Sequence, residues 1–508
     1  MNLTMLLDMA VDGFGDRVVI GPASGNSGGG ITATELRDRA IRGARLIGDA
    51  GADAVLYLAV NGPAFPVAMF AAAYAGVPLV PVNYRLGGEQ LTALLANHPG
   101  ALGIAGAAES ATLRAAGITT LGTAAFLDVT AGEPLTAEDR DNRVAADTGA
   151  PAVMIYTSGT TSTPKGVLLR HENLMSYVFG TVEFASAAAE EAALVSVPPY
   201  HIAAVANVIS NLFAGRRTLV LEQFTPAQWL RLARSEGVTN ALVVPTMLAR
   251  IVNSDEDRSV PTLRNLAYGG APMPAAVIER ALQMWPEVGF VNAYGLTETS
   301  STVAVLGPDD HRVALASADP AVRIRLTSVG RVLPGIDLEI RDADGRAVGT
   351  GIPGRICVRG DQVSAEYAGI GRAVDDRGFF DTRDKGHIDD DGFLYVGGRV
   401  DDTIIRGGEN IAPAEIEAVL LRHPSVLDVA VVGVPDEEWG QRIEAAVVVR
   451  PGVEVAAEEL REHVREVLRG SKTPSRIVYW DEIPRTETGK LVRRNVTARL
   501  VATETSIT

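Results

Sequence analysis

The chain is poor in cysteine, in aromatic residues and in positive charge. Cys357 is its one cysteine, so no disulfide can close within the chain, and this predicts a reducing, cytoplasmic setting. It sits in the alternating stretch GRICVRG with no basic partner to activate it, and reads as a small buried apolar side chain rather than a nucleophile. Aromatic residues make up only 5%, but 47% of the chain is apolar, a globular rather than disordered composition. The formal net charge of -16 argues against a nucleic-acid partner, since a polyanion is bound through clustered Lys and Arg. Long apolar runs are also missing. The longest, Pro66 to Val82, is broken by glycine and prolines and is shorter than the roughly 18 to 20 residues that cross a bilayer, so no integral membrane segment is expected. The opening MNLTMLLDMAVDGFGDR carries Asp8 and Asp12 where a signal peptide would be basic and then apolar.

At 508 residues the chain is too long for one ordinary core. Short apolar strands such as DAVLYLAV, VPLVPV, TLVLE and ALVVP alternate with helical segments such as AFPVAMFAAAYAG and AQWLRLARSEG. Such strand–helix–strand units predict right-handed crossovers and buried parallel sheet. After about Ser328 glycine or proline recurs every few residues with period-two alternation, which predicts a small antiparallel β-unit. The last hundred residues mix helices (PAEIEAVLL, AEELREHVREVLR) with strands (DVAVVGVP, EAAVVV). The expected fold is α/β: a large N-terminal domain of α/β layers with a small β-subdomain over residues 1–400, and a small mobile α+β C-terminal domain over residues 401–508.

One stretch stands apart. YTSGTTSTPKG, Tyr156 to Gly166, sets hydroxyl residues, two glycines and one lysine between apolar segments. A backbone that wraps an anion needs glycine for close N–H approach, hydroxyl donors, and a cation for charge that develops. Thr157, Ser158, Gly159, Thr160, Thr161 and Lys165 supply these. The loop is not a Walker A motif, because Lys165 follows a proline and precedes Gly166, with no Gly-Lys-Ser/Thr ending.

This loop resembles the signature of the adenylate-forming (ANL) superfamily, which includes acyl-CoA synthetases, 4-coumarate-CoA ligase-like enzymes and peptide-synthetase adenylation domains. Further resemblances follow in order along nearly the whole chain: PPYHIAA, YGGAPMP, YGLTE, FDTRDKG, GRVDDTIIRGGENIAPAEIE and PRTETGKLVRR. The resemblance implies an acyl-CoA synthetase that uses ATP, Mg2+ and coenzyme A. A carboxylate oxygen would attack the ATP α-phosphate with loss of pyrophosphate, and a thiol would then take the acyl group from the adenylate. A free-standing adenylating enzyme that loads an acyl carrier protein is the alternative.

The roles implied are these. Lys165 and the loop hydroxyls would hold the β- and γ-phosphates, Thr297 the α-phosphate, and Glu298 the metal. Asp384 would take the ribose hydroxyls, with Asp381 the near competitor, and Arg399 would reach ribose or phosphate. Gly269, Gly270 and Ala271 are small enough for adenine to lie against backbone, with Tyr294 and Gly295 opposite. Lys490 would contact the incoming carboxylate and the α-phosphate. Asp401 would be the hinge of a rotating C-terminal domain, and Gly407 and Gly408 would line a pantetheine tunnel. His201 would gate the acyl site, with Ala203, Ala204 and Ala206 leaving a roomy apolar pocket. That segment has no aspartate for an ammonium and no arginine for a second carboxylate. This disfavours amino acids and diacids, and fatty, alicyclic and aromatic acids all fit.

Overall fold

The computed structural model describes the chain apart from residues 1, 24–28, 87, 142–146, 148, 158–163, 407–408, 437–438, 469, 487–488 and 506–508, and the side chains of 137, 141, 409–410 and 504–505. Two large mixed sheets form the bulk. One has nine strands, with parallel neighbours Gly289–Leu296, Asn265–Gly269, Asn240–Val243, Ala192–Val195 and Arg217–Val220 at its centre and antiparallel strands at its edges. The other has eight, with Val55–Leu58, Leu79–Pro81, Leu102–Ala105 and Thr119–Gly122 parallel, and Pro151–Thr157 turning back antiparallel on Lys165–Arg170.

Both sheets contribute to one core with the helices packed among them. The helix Ala64–Ala75 is apolar all round and buried along nearly its whole length, as a helix between layers must be. Its alanines admit a close neighbour: a Cβ on Gly43 of the helix Ala33–Asp49 would come within 2.7 Å of the Ala71 Cβ, so only glycine fits there.

The Gly-rich stretch after Ser328 forms a four-stranded antiparallel sheet, Asp337–Arg341, Gly354–Arg359, Phe380–Ile388 and Leu394–Arg399. One piece departs from the single unit expected. Glu366–Tyr367 and Gly371–Arg372 pair with each other and extend the eight-stranded sheet, with Tyr367 opposite Val167. Ala365, at φ +46°, turns the chain there, and Arg170 clamps Glu366 with two bonds of 2.9 and 2.8 Å. This return brings the β-subdomain against the segment that carries Lys165.

The C-terminal part opens with the hairpin Ile404–Arg406/Glu409–Ile411 and is built on Val426–Asp436, Gly440–Val449 and Arg476–Tyr479. Its central strands are apolar on both faces. Val429, Val431, Ile443, Ala445 and Val447 pack on one side, and Ala430, Val432, Val434, Ala446 and Val448 on the other. The helices Pro413–Leu420 and Ala457–Val467 cover the first face and Arg493–Thr505 the second. Among the described residues no helix is long and apolar enough to cross a membrane.

Glu444 is fully buried in this small unit, with Arg442 at 2.8 Å on one oxygen and Arg476 at 2.7 and 2.9 Å on the other. Glu444→Ala leaves the two guanidinium groups without their carboxylate and should cost about 3–5 kcal/mol. Hydrogen exchange should show protection lost across residues 404–505 and kept in the two large sheets.

Candidate active site

The cleft between the two parts is continuous, about 2720 Å³, and is lined from both. Its floor is built where the two large sheets present strand ends. Thr157 and Lys165 face each other in register across the antiparallel pair that brackets the glycine-rich loop. Ser158, Gly159, Thr160 and Thr161 lie outside the described residues.

The strand Gly289–Leu296 ends in the short turn Thr297–Thr299, which carries Thr297 and Glu298 to the cleft. The Thr299 hydroxyl accepts from the Leu296 N–H (2.9 Å) and donates to the Ser301 carbonyl (2.7 Å), closing the turn. Glycine is obligatory beside it: a Cβ on Gly295 would lie 1.7 Å from the Ser301 oxygen, and one on Gly269 would lie 2.3 Å from the Ala293 oxygen. Gly270 and Ala271 follow on the cleft wall, with Gly270 at φ +83°. Glu298 accepts from the Tyr367 hydroxyl at 2.9 Å, and the Lys165 ammonium stands 5.6 Å from the centre of the Tyr367 ring.

Asp384 lies deeper, with 7% of its surface exposed. The Tyr294 hydroxyl donates to one of its oxygens at 2.6 Å, Arg399 approaches the other at 3.7 Å, and the Thr382 hydroxyl accepts its backbone N–H at 3.1 Å. Burial pushes the Asp384 carboxyl above the ordinary range, while Tyr294, Arg399 and Lys490 pull it down. Burial also holds the Tyr294 hydroxyl far above its usual value, so it stays a donor. Asp381, the competitor, is committed elsewhere, to Arg355 at 2.8 Å.

Lys490 comes from the C-terminal part on a tight loop. The Thr486 N–H donates to the Lys490 carbonyl (2.8 Å), the Lys490 N–H donates to the Thr486 hydroxyl (3.0 Å), and Arg485 holds the Gly489 carbonyl (3.0 Å). Gly489, at φ +74°, sits against Thr246 of the other part, where a Cβ would meet the Thr246 side chain at 2.5 Å. Lys490 lines the cleft and is solvent-exposed, yet protein surrounds it closely. That surrounding burial and the Arg399 charge lower its pKa, opposed by Asp384, Glu298 and Asp402. His201 faces the same space. Burial, and then Lys490, lower it from 6.5 to about 4, so its ring is neutral at ordinary pH.

His201 caps the helix Ile202–Ala214, whose period sorts the pocket residues. Ala203, Ala206, Asn207 and Ser210 face the cleft, while Val205, Val208, Ile209 and Leu212 face the core. Ala204 is a correction to the sequence reading. It is 1% exposed and packed into the core, because it follows Ala203 by about 100° of helix turn. Outside that segment, where the sequence left room for further cations, Arg216 also lines the cleft, paired with Glu191 at 3.1 Å and Asn211 at 3.0 Å.

Asp401 lies in the turn Val400–Asp402 that joins the two parts, 3.6 Å from Arg383. Its neighbour Asp402 pairs with Arg493 at 3.1 Å on the C-terminal side, and Lys385 donates to Thr403 at 3.1 Å. Gly407 and Gly408 lie outside the described residues. Sequence reasoning passed over Tyr367, Thr246 and Arg493. Arg493 lies within PRTETGKLVRR, where Lys490 drew the attention, whereas Tyr367 and Thr246 sit outside the quoted motifs, and each of the three matters through a contact distant in sequence.

The family model for AMP-binding enzymes matches residues 7–368, and that for the AMP-binding enzyme C-terminal domain matches residues 415–490. The chain belongs to the AMP-binding enzyme family. Within it this enzyme is 34% identical to a feruloyl-CoA synthase of Amycolatopsis sp over 93% of this chain and 95% of the relative. It is 30% identical to the fatty acid–[acyl-carrier-protein] ligase ScoC of Streptomyces coeruleorubidus, over 89% and 88%. The o-succinylbenzoate CoA synthetase MenE of Bacillus subtilis, solved with its acyl-adenylate intermediate, superposes with a TM-score of 0.82 at 26% identity, covering 97% of each chain. This AMP-binding enzyme is thus an AMP-forming enzyme of the acid–CoA ligase family, and ATP-bound MatB of Rhodopseudomonas palustris superposes on it with a TM-score of 0.85 at 26% identity, covering 98% of this chain and 99% of that one.

Gly295→Ala forces the turn that carries Thr297 and Glu298 to open. It should weaken ATP binding at least about tenfold, consistent with the roughly 1–3 kcal/mol that overpacking costs. Titration calorimetry with ATP measures this directly.

Proposed function

We propose that this AMP-binding enzyme is a cytoplasmic ATP-dependent acid–CoA ligase acting on a hydrophobic carboxylic acid, fatty, alicyclic or aromatic. The observation that carries the reading is the convergence of Lys490, from one part of the chain, with Asp384, Arg399 and Glu298, from the other, in a single cleft. Residues 1–400 would form the adenylation domain and residues 401–508 the mobile one.

In the first step the acid's carboxylate oxygen attacks the ATP α-phosphorus and the bond to pyrophosphate breaks. Asp384 takes the ribose hydroxyls, for which an acceptor-only carboxylate is suited. Gly269, Gly270 and Ala271 accept the adenine against backbone beside the Tyr294 ring. Lys165, Thr157 and the loop hydroxyls bind the departing phosphates, Thr297 the α-phosphate. Lys490 offers its charge to the acid and the α-phosphate together, and Arg399 adds a fixed cation beside the ribose. Neutral His201 orients the carboxylate and closes the acyl pocket bounded by Ala203 and Ala206.

The donor set fits a magnesium ion. Among the described residues no group of three or more His, Cys, Asp or Glu could hold a metal by itself, and Glu298 would be the protein carboxylate for an ion whose other ligands would be phosphate and water. Magnesium supplies neutralisation of phosphate charge. In the second step the thiol of coenzyme A attacks the acyl carbon and AMP leaves, which requires Lys490 to withdraw by rotation about Asp401, bringing Gly407 and Gly408 to the pantetheine path. Loading of an acyl carrier protein is the second reading, favoured by the ScoC relative.

A pyrophosphate-release screen over fatty, alicyclic and aromatic acids, with coenzyme A or a phosphopantetheine carrier as acceptor, tests the assignment. We expect release that depends on an acid and a thioester with coenzyme A; release indifferent to any acid would refute it. Lys490→Ala should slow adenylate formation at least about a hundredfold and spare thioester formation from supplied acyl-adenylate. Because the Lys490 pKa is lowered from 10.5, the first step should decline with rising pH before an ordinary lysine would titrate, and Lys490→Arg should remove that alkaline limb. With His201 at about 4, no acid limb near 6.5 belongs to it.

A further inference from the structure

We propose that Tyr367 is a positioning residue that holds the Glu298 carboxylate and the Lys165 ammonium at a fixed separation. The inference rests on the nucleotide reading of the cleft given above. Its observation is that one side chain serves both groups. The Tyr367 hydroxyl donates to Glu298 at 2.9 Å, and the face of the same ring stands 5.6 Å from the Lys165 ammonium. A ring within about 6 Å attracts a cation through its electron-rich face.

The backbone around Tyr367 repeats the connection. The Ala365 N–H donates to the Glu298 carbonyl at 2.9 Å, and the Ala368 N–H donates to the Gly166 carbonyl at 2.8 Å. Tyr367 itself is paired in register with Val167, two residues beyond Lys165. Gln362 adds bonds of 3.1 Å to the Thr299 carbonyl and 2.7 Å to the Thr302 carbonyl, at the end of the Glu298 turn and just beyond it, and Ser364 bonds the Leu168 carbonyl. Residues 362–368 are therefore a strap from the turn that carries Glu298 to the strand that begins at Lys165, and Tyr367 is its one side chain that reaches both functional groups.

The chemistry explains why a phenol is suited to this place. Lys165 and Glu298 carry opposite charge. Allowed to collapse together, they would neutralise each other and leave neither for phosphate or metal. A rigid ring between them gives each a partner that cannot take a net charge from it. Burial and the Glu298 charge hold the Tyr367 hydroxyl well above its ordinary value, so it remains a donor wherever the enzyme works. Its bond fixes the rotation of the carboxylate and leaves the second oxygen for a cation.

Two substitutions separate the functions. Tyr367→Phe keeps the ring and removes the bond to Glu298; Tyr367→Leu removes both. The probe is ATP, with binding followed by calorimetry in EDTA and across a magnesium titration. Tyr367→Phe should leave ATP affinity in EDTA within about twofold of wild type and raise the magnesium concentration for half-maximal enhancement of ATP binding about tenfold. Tyr367→Leu should, in addition, weaken ATP binding in EDTA about three- to tenfold. In a Glu298→Gln background, Tyr367→Phe should change the magnesium response by less than about twofold, because its partner is already gone. An unchanged magnesium response in Tyr367→Phe, or equal loss with and without magnesium, would overturn the proposal in favour of plain packing. Failure of the wild type to bind ATP would instead overturn the nucleotide reading on which it rests.

Discussion

The Asp384 carboxylate is buried at the foot of the cleft, where an unpaired charge would cost several kcal/mol. It is kept there by the Tyr294 hydroxyl at 2.6 Å and by Arg399 at 3.7 Å across the strand pair. That constraint organises its surroundings. Tyr294 must lie on a strand that passes close by, which puts Gly295 and Gly269 where only glycine fits. Arg399 must end the last strand of the β-subdomain, which places the connecting turn Val400–Asp402 at the rim of the cleft. Lys490 is then drawn towards Asp384 and Glu298 and repelled by Arg399, so its position depends on the same group of charges.

The connection between the two parts is divided between adjacent residues. Arg383, at φ +62°, faces Asp401, and Lys385 holds Thr403, both from the N-terminal side. Arg493 ties Asp402 to Glu417 and to the Val431 carbonyl on the C-terminal side. Breaking the pair at Asp401 and the bond at Thr403 would free the turn, while Arg493 would carry Asp402 with the C-terminal unit. On the proposed two-step reading, those contacts belong to the pose that presents Lys490.

Much of this was legible in the residues. Parallel strands and crossover helices followed from alternating apolar segments, and the order of the motifs that carry Lys165, Glu298, Asp384 and Lys490 resembles that of one family. What the sequence hid has a physical cause in each case. Ala203 and Ala204 look equivalent until helix geometry turns one to the cleft and the other to the core. Arg216 lies outside the pocket motif and lines the cleft from the short connection between the helix Ile202–Ala214 and the strand Arg217–Val220. Tyr367 sits in a two-residue strand with no periodicity to announce it, and its sheet partner is about two hundred residues earlier.

The most direct test of the account is to restrain the hinge and follow the two half-reactions separately. In Asp401→Pro the pair with Arg383 is lost, but the Lys385–Thr403 bond still holds the pose that presents Lys490, so pyrophosphate release in a single turnover should stay within about threefold of wild type, while thioester formation should fall at least about tenfold. Thioester formation at the wild-type rate in Asp401→Pro would contradict it.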